Sequence, residues 1–63
     1  GLADYARIIP DLARLLAPDG VVALEIGHAQ AKSVMDMAKT QGFRCELHQD
    51  IESRDRCIIL HRA

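Results

Sequence analysis

Three features of the sequence predict a small α/β fold with the element order α-β-α-β-β and a three-stranded mixed sheet. Apolar residues recur at helical spacing in two stretches, Leu2 to Ala17 and Ala29 to Gln41. Short runs follow them: Val21 to Ile26 and Cys57 to His61 are rich in aliphatic residues, and Arg44 to Gln49 alternates in polarity. Proline and glycine mark the joints, at Pro18-Asp19-Gly20, Gly27 and Gly42.

In the first segment Tyr5, Ile8, Ile9, Leu12, Leu15 and Leu16 form one broad apolar stripe, opposite Asp4, Arg7, Asp11 and Arg14. Pro10 lies inside this helix, removes a backbone donor and is expected to kink it near Ala6. Val21 to Ile26 is apolar at nearly every position, the pattern of a strand covered on both faces. The second helix sets Ala31, Val34, Met35 and Ala38 against Lys32, Asp36 and Lys39, with Met35 and Met37 as ordinary apolar filling. Gly42 suits a left-handed residue just past its end, and Phe43 is placed to pack back on the last turn. Arg44 to Gln49 alternates, with Cys45 and Leu47 on one face and Arg44, Glu46 and His48 on the other. Cys57 to His61 is again apolar enough for burial on both sides, and the polar stretch Asp50 to Arg56 reads as a surface turn.

This order constrains the topology. A strand-helix-strand crossover is parallel, and a strand joined by a short turn is antiparallel to its predecessor. The last strand is less polar than the one before it, so it is expected in the centre, antiparallel to the other two. Val21 to Ile26 is then left with an open apolar edge, as at the end of a longer sheet.

Composition excludes several function classes. An apolar share of 49% with 27% charged residues is too apolar for a disordered chain. A net charge of -1 leaves no electrostatic footprint for nucleic acid or an anionic membrane. With one Tyr, one Phe and no Trp, an aromatic platform for single strands is not expected. The longest apolar run is four residues, so no transmembrane span is expected. The first ten residues lack the basic flank and apolar run of a secretion signal. Cys45 and Cys57 then read as reduced thiols of a cytoplasmic protein. A chain this short gains ~90 kcal/mol from apolar burial against ~95 kcal/mol of ordering entropy, so it calls for a partner surface or a surrounding parent domain.

The stretches Tyr5-Ala6-Arg7-Ile8-Ile9-Pro10, Leu15-Leu16-Ala17-Pro18-Asp19-Gly20 and Leu24-Glu25-Ile26-Gly27 are similar to the bacterial release factor glutamine methyltransferases, the HemK or PrmC family. Gly42-Phe43, the run Asp50 to Arg56 and the apolar Cys57 to Leu60 resemble that family's C-terminus. The resemblance covers essentially the whole chain but only the last part of such an enzyme. It implies that residues 1–63 are the C-terminal portion of a Rossmann-like class I methyltransferase domain. It further implies S-adenosylmethionine as the parent's cofactor and a peptide chain release factor as its substrate, methylated on a glutamine side-chain amide. In that fold the final strand is inserted antiparallel between its two neighbours.

The departures from the family are equally specific. The chain has no glycine-rich turn after a first strand to cradle the cofactor, and no acid at the end of a second strand for the ribose. The Asn-Pro-Pro-Tyr motif is absent too: neither Pro10 nor Pro18 follows Asn or precedes Pro-Tyr. Catalytic and cofactor-binding residues are therefore expected outside this chain, whose own role is structural, and no metal site is expected in it. The alternatives are another class I methyltransferase, or a free-standing α/β interaction module that dimerises through the Val21–Ile26 edge.

Four side chains invite a metal reading. Cys45, His48, Cys57 and His61 have the spacing C-x2-H-x8-C-x3-H, yet residues three apart on a strand face opposite ways. Two core thiols and two strand-end histidines fit better; a Cys45–Cys57 disulfide needs the two to face each other. Arg54, Asp55 and Arg56 present a possible anion site, but Glu52 and Asp55 neutralise the cluster and favour local ion pairs. Glu25 is a carboxylate in an apolar strand, one residue before its end, where ligands gather in open α/β sheets. Either Glu25, Gly27 and His28 border the substrate side of a site, or Glu25 is a solvated or Arg-paired strand-end acid.

Overall fold

The computed structural model describes residues 2–27 and 29–62. Helix α1 (Leu2–Leu15) is followed by strand β1 (Val21–Glu25), helix α2 (Ala31–Thr40), strand β2 (Phe43–Gln49) and strand β3 (Asp55–Arg62). All five expected elements are present. β3 is the longer surprise, beginning at Asp55 rather than Cys57 because Gln49 pairs with Asp55 across a register shift at His48/Gln49.

The strand order is β1-β3-β2, and β3 pairs antiparallel with both neighbours. The sheet is thus antiparallel in every pair rather than mixed. β1 and β2 run the same way, but β3 stands between them and no parallel ladder forms.

Each joint has a local cause. Pro18 and Asp19 occupy the centre of a turn closed by the Gly20 N–H donating to Ala17 O at 2.8 Å, with proline in its favoured second position. α1 runs through Pro10 without interruption. After α2, Gly42 has φ +91° and its N–H donates to Lys39 O at 3.0 Å, which satisfies an end carbonyl of the helix. Phe43 is buried directly behind it.

Ile9, Ile26, Ala31, Val34, Ala38, Phe43, Ile58 and Leu60 form the core. Opposed residues of a ladder share a face, so Val22, Leu60 and Cys45 form one row, and Leu24, Ile58 and Leu47 the next. The core residues Ile58 and Leu60 place the packed helices on this face. The other face carries Val21, Ala23 and Glu25 on β1, Cys57, Ile59 and His61 on β3, and Arg44, Glu46 and His48 on β2. Within the described residues it stays open: β1 alternates exposed and half-buried, and Cys57 and Ile59 are only half-buried. The expectation of burial on both faces of β1 and β3 is therefore not met. Both helices lie on one side, and the molecule is 14 Å through its thinnest dimension.

α1 is tied to the sheet at both ends. The Tyr5 hydroxyl donates to Glu25 O, and the Arg62 guanidinium donates to Ala13 O. Tyr5, Leu12, Ala13 and Leu16 pack against the core beside Ile9, whereas Ile8 and Leu15 point outward at 42% and 70% exposure. The apolar stripe read from the sequence is wider than the surface available to bury it.

Candidate functional site

The C-terminal end of β1 and the β2–β3 turn lie at one end of the sheet, since Glu25 pairs with Cys57 near the start of β3. There Glu25, Ile26, Arg56 and Cys57 line a hollow of about 550 Å³. The Glu25 side chain is exposed, and among the described residues no hydrogen bond or ion pair reaches its carboxylate. The backbone beneath it is held firmly. Ile26 N–H donates to Arg56 O at 3.0 Å, and Gly27 N–H donates to the Gln30 side-chain oxygen at 2.8 Å. Gln30 N–H returns a 3.2 Å bond to Gly27 O. Ala29 takes φ 68°, a left-handed conformation that turns the chain into α2. Of the three residues read as a substrate-side wall, Glu25 and Gly27 sit together here, and His28 lies outside the described residues.

The Arg cluster is an ion-paired turn organised by a residue the sequence did not single out. The Asp50 carboxylate accepts from the backbone N–H of Glu52 (2.8 Å) and Arg54 (3.0 Å). It also meets Arg54 Nε at 3.2 Å and Arg56 Nε at 3.3 Å. The Arg54 backbone N–H bond leads the contacts that hold the Asp50 carboxyl below its usual range. Glu52 does pair with Arg54, at 3.1 Å, whereas Asp55 accepts instead from Gln49. The available signal was an aspartate at the mouth of a polar turn, the residue type that hydrogen-bonds its own backbone ahead.

The thiols part company. Cys45 faces the helices opposite Leu60, and burial pushes its thiol up, with nearby Lys39 opposing. Cys57 lies on the open face opposite His48, so it is not a core thiol and the two sulfurs cannot meet as cross-strand partners. Among the described residues no group of three or more His, Cys, Asp or Glu could hold a metal. His61 instead lies 2.7 Å from Glu46, and this hydrogen bond leads the effects that lower the Glu46 carboxyl.

No family model matches the chain. No solved structure matches it either. Curated relatives do match over its whole length. A release factor glutamine methyltransferase of Moorella thermoacetica is 42% identical over 98% of this chain and 23% of its own length. One of Thermodesulfovibrio yellowstonii is 39% identical over 100% of this chain and 23% of its own length. A bifunctional methyltransferase of Rickettsia typhi is 34% identical over 92% of this chain and 11% of its own length. The chain spans less than a quarter of the length of these relatives. On these matches the chain belongs to the release factor glutamine methyltransferase family, HemK/PrmC, as a segment of such a protein.

Proposed function

We propose that residues 1–63 are the C-terminal portion of a Rossmann-like class I methyltransferase domain in a cytoplasmic enzyme. That enzyme methylates the side-chain amide of a glutamine in a peptide chain release factor, with S-adenosylmethionine as methyl donor. The observation that carries this reading is a match of 98% of the chain, at 42% identity, to a protein bearing that name. A sheet whose β1 edge is unpaired and whose second face is open is in keeping with a segment of a larger α/β domain.

The chain's own part is to build a wall. Methyl transfer requires donor and amide nitrogen to be held in line, a matter of positioning two substrates. The described residues do not fit the donor: where β1 leads into α2, the Gly27 N–H is already taken by Gln30. No step of the reaction is assigned to this chain, and neither nucleic acid nor membrane is among its proposed partners.

The test is a chimera. This chain replaces the matching 64 residues of the Moorella thermoacetica relative. The product is assayed for transfer of labelled methyl from S-adenosylmethionine to a release factor. Methylation is expected. A chimera that fails to fold or to methylate overturns the reading, and one that methylates other substrates but no release factor supports a different class I methyltransferase.

A further inference from the structure

The backbone groups of β1 alternate between its two edges. Ile26 N–H donates to Arg56 O and Arg62 N–H to Gly20 O, continuing the register in which Glu25 faces Cys57 and Val21 faces His61. The even-numbered residues of β1 therefore turn their N–H and C=O toward β3, and Val21, Ala23 and Glu25 turn theirs toward the unpaired edge. At Val21 and Ala23 no hydrogen bond from the described residues answers these groups. Toward the carboxyl end the chain answers its own. The Tyr5 hydroxyl donates to Glu25 O, Gly27 N–H donates to the Gln30 side-chain oxygen at 2.8 Å, and Gln30 N–H donates to Gly27 O at 3.2 Å. The Tyr5 bond spans twenty residues of chain, so it forms only with α1 docked on the sheet. The edge is thus open where β1 begins and closed where it ends.

We propose, resting on the methyltransferase reading above, that Tyr5 and Gln30 are positioning residues. They end the ladder that a neighbouring strand of the parent enzyme forms with β1, and so part the two strands at Glu25. In a mostly parallel sheet the neighbour's carboxyl end lies at this same end, and residues leaving the strand ends there line the ligand site. A neighbour that kept pairing past Ala23 would carry those residues along β1, and each further paired residue moves the point of departure by about 3.3 Å. A displacement of about 1 Å at a reacting centre can cost about a hundredfold in rate. Tyr5 and Gln30 touch no substrate in this account; they act through the place where the neighbouring strand leaves the sheet.

The chimera described above provides the assay, and its unsubstituted form is the control. Failure of that control overturns the methyltransferase reading; the variants test only the present inference. Tyr5→Phe keeps the ring and removes the donor, which frees Glu25 O for a strand N–H. It is expected to lower kcat for release factor methylation at least about tenfold. Hydrogen exchange followed residue by residue should show a newly protected amide at the carboxyl end of the strand beside β1. Gln30→Leu frees Gly27 N–H and should lower kcat and extend protection in the same way, whereas Gln30→Glu, which keeps an acceptor, should behave as the unsubstituted chimera. A Tyr5→Phe chimera too unstable to assay leaves the two Gln30 variants to decide on the same readouts. A purely structural role predicts a lower melting temperature, faster exchange throughout the chain and an unchanged kcat. That result, or either of the two expected effects without the other, overturns the inference.

Discussion

Glycine 42 shows how one residue can be fixed by conformation alone. A Cβ built there meets nothing within 4 Å, so space would allow alanine, but φ is +91°. Gly42→Ala should therefore cost about 1–2 kcal/mol, read as a lower urea midpoint, with no change in packing around Phe43. Gly27 is the opposite case: a Cβ would lie 2.9 Å from Gln30 Oε1, so Gly27→Ala should displace the side chain that caps its own amide. Hydrogen exchange at that amide should then quicken. Asp50 and Glu46 make part of the stability pH-dependent. Both carboxyls are lowered in the folded state, the first chiefly by the Arg54 backbone bond, the second chiefly by His61. Their contribution is full above the ordinary carboxylate range and is lost as pH falls below about 4. Asp50→Asn keeps an oxygen for the two backbone donors and loses the ion pairs; Asp50→Ala loses both. The alanine variant should be the less stable, and each should flatten the loss of stability on acidification. At this scale the sequence revealed the Gly42 cap, because helix ends have a residue code. It was silent on the Asp50 hub, whose four donors come together only when the turn closes.

Helix α1 shows what periodicity can and cannot resolve. The spacing placed Ile8 and Ile9 on one stripe, and both are equally apolar. Ile9 is fully buried and Ile8 is 42% exposed, because among the described residues the helix packs toward α2 and one sheet face on the Ile9 side only. Ile9→Ala should cost about 2–5 kcal/mol, while Ile8→Ala should stay within about 1 kcal/mol, measured by urea unfolding of the chimera. An Ile8→Ala cost as large as that of Ile9→Ala would mean that another part of the enzyme packs on this side of α1. The same reasoning explains the strands. Val-Val-Ala-Leu and Cys-Ile-Ile-Leu are compositions for two covered faces, and here one face is covered. The order of the strands was legible for a different reason, since linker lengths and relative polarity bear directly on which pairs can form.

For the whole molecule the balance of terms is close. The folded chain exposes 4223 Å², against roughly 10,000 Å² when unfolded, so it buries about 60% of its surface, as expected for this size. That burial is worth ~90 kcal/mol, and ordering the chain costs ~95 kcal/mol. The cofactor follows the same logic of incompleteness: calorimetric titration of the isolated chain with S-adenosylmethionine should show no binding at concentrations that saturate a complete enzyme. A stoichiometric isotherm would require a donor site among residues read here as structural. Association is the converse expectation. Among the described residues β1 has one unpaired edge, Val21 at its start is 56% exposed, and the open face beside it carries Ala23 and Ile59. Pairing two β1 edges satisfies the backbone donors and buries these side chains at once. The isolated chain should therefore sediment as a concentration-dependent oligomer or unfold over a broad, concentration-dependent urea transition. Ala23→Lys places a charge on that open face at the edge strand and should shift the population toward monomer. A sharp urea transition of a monomer, unchanged over a hundredfold range of protein concentration, would show that two helices and half-covered strands suffice, and the argument from incompleteness would fail.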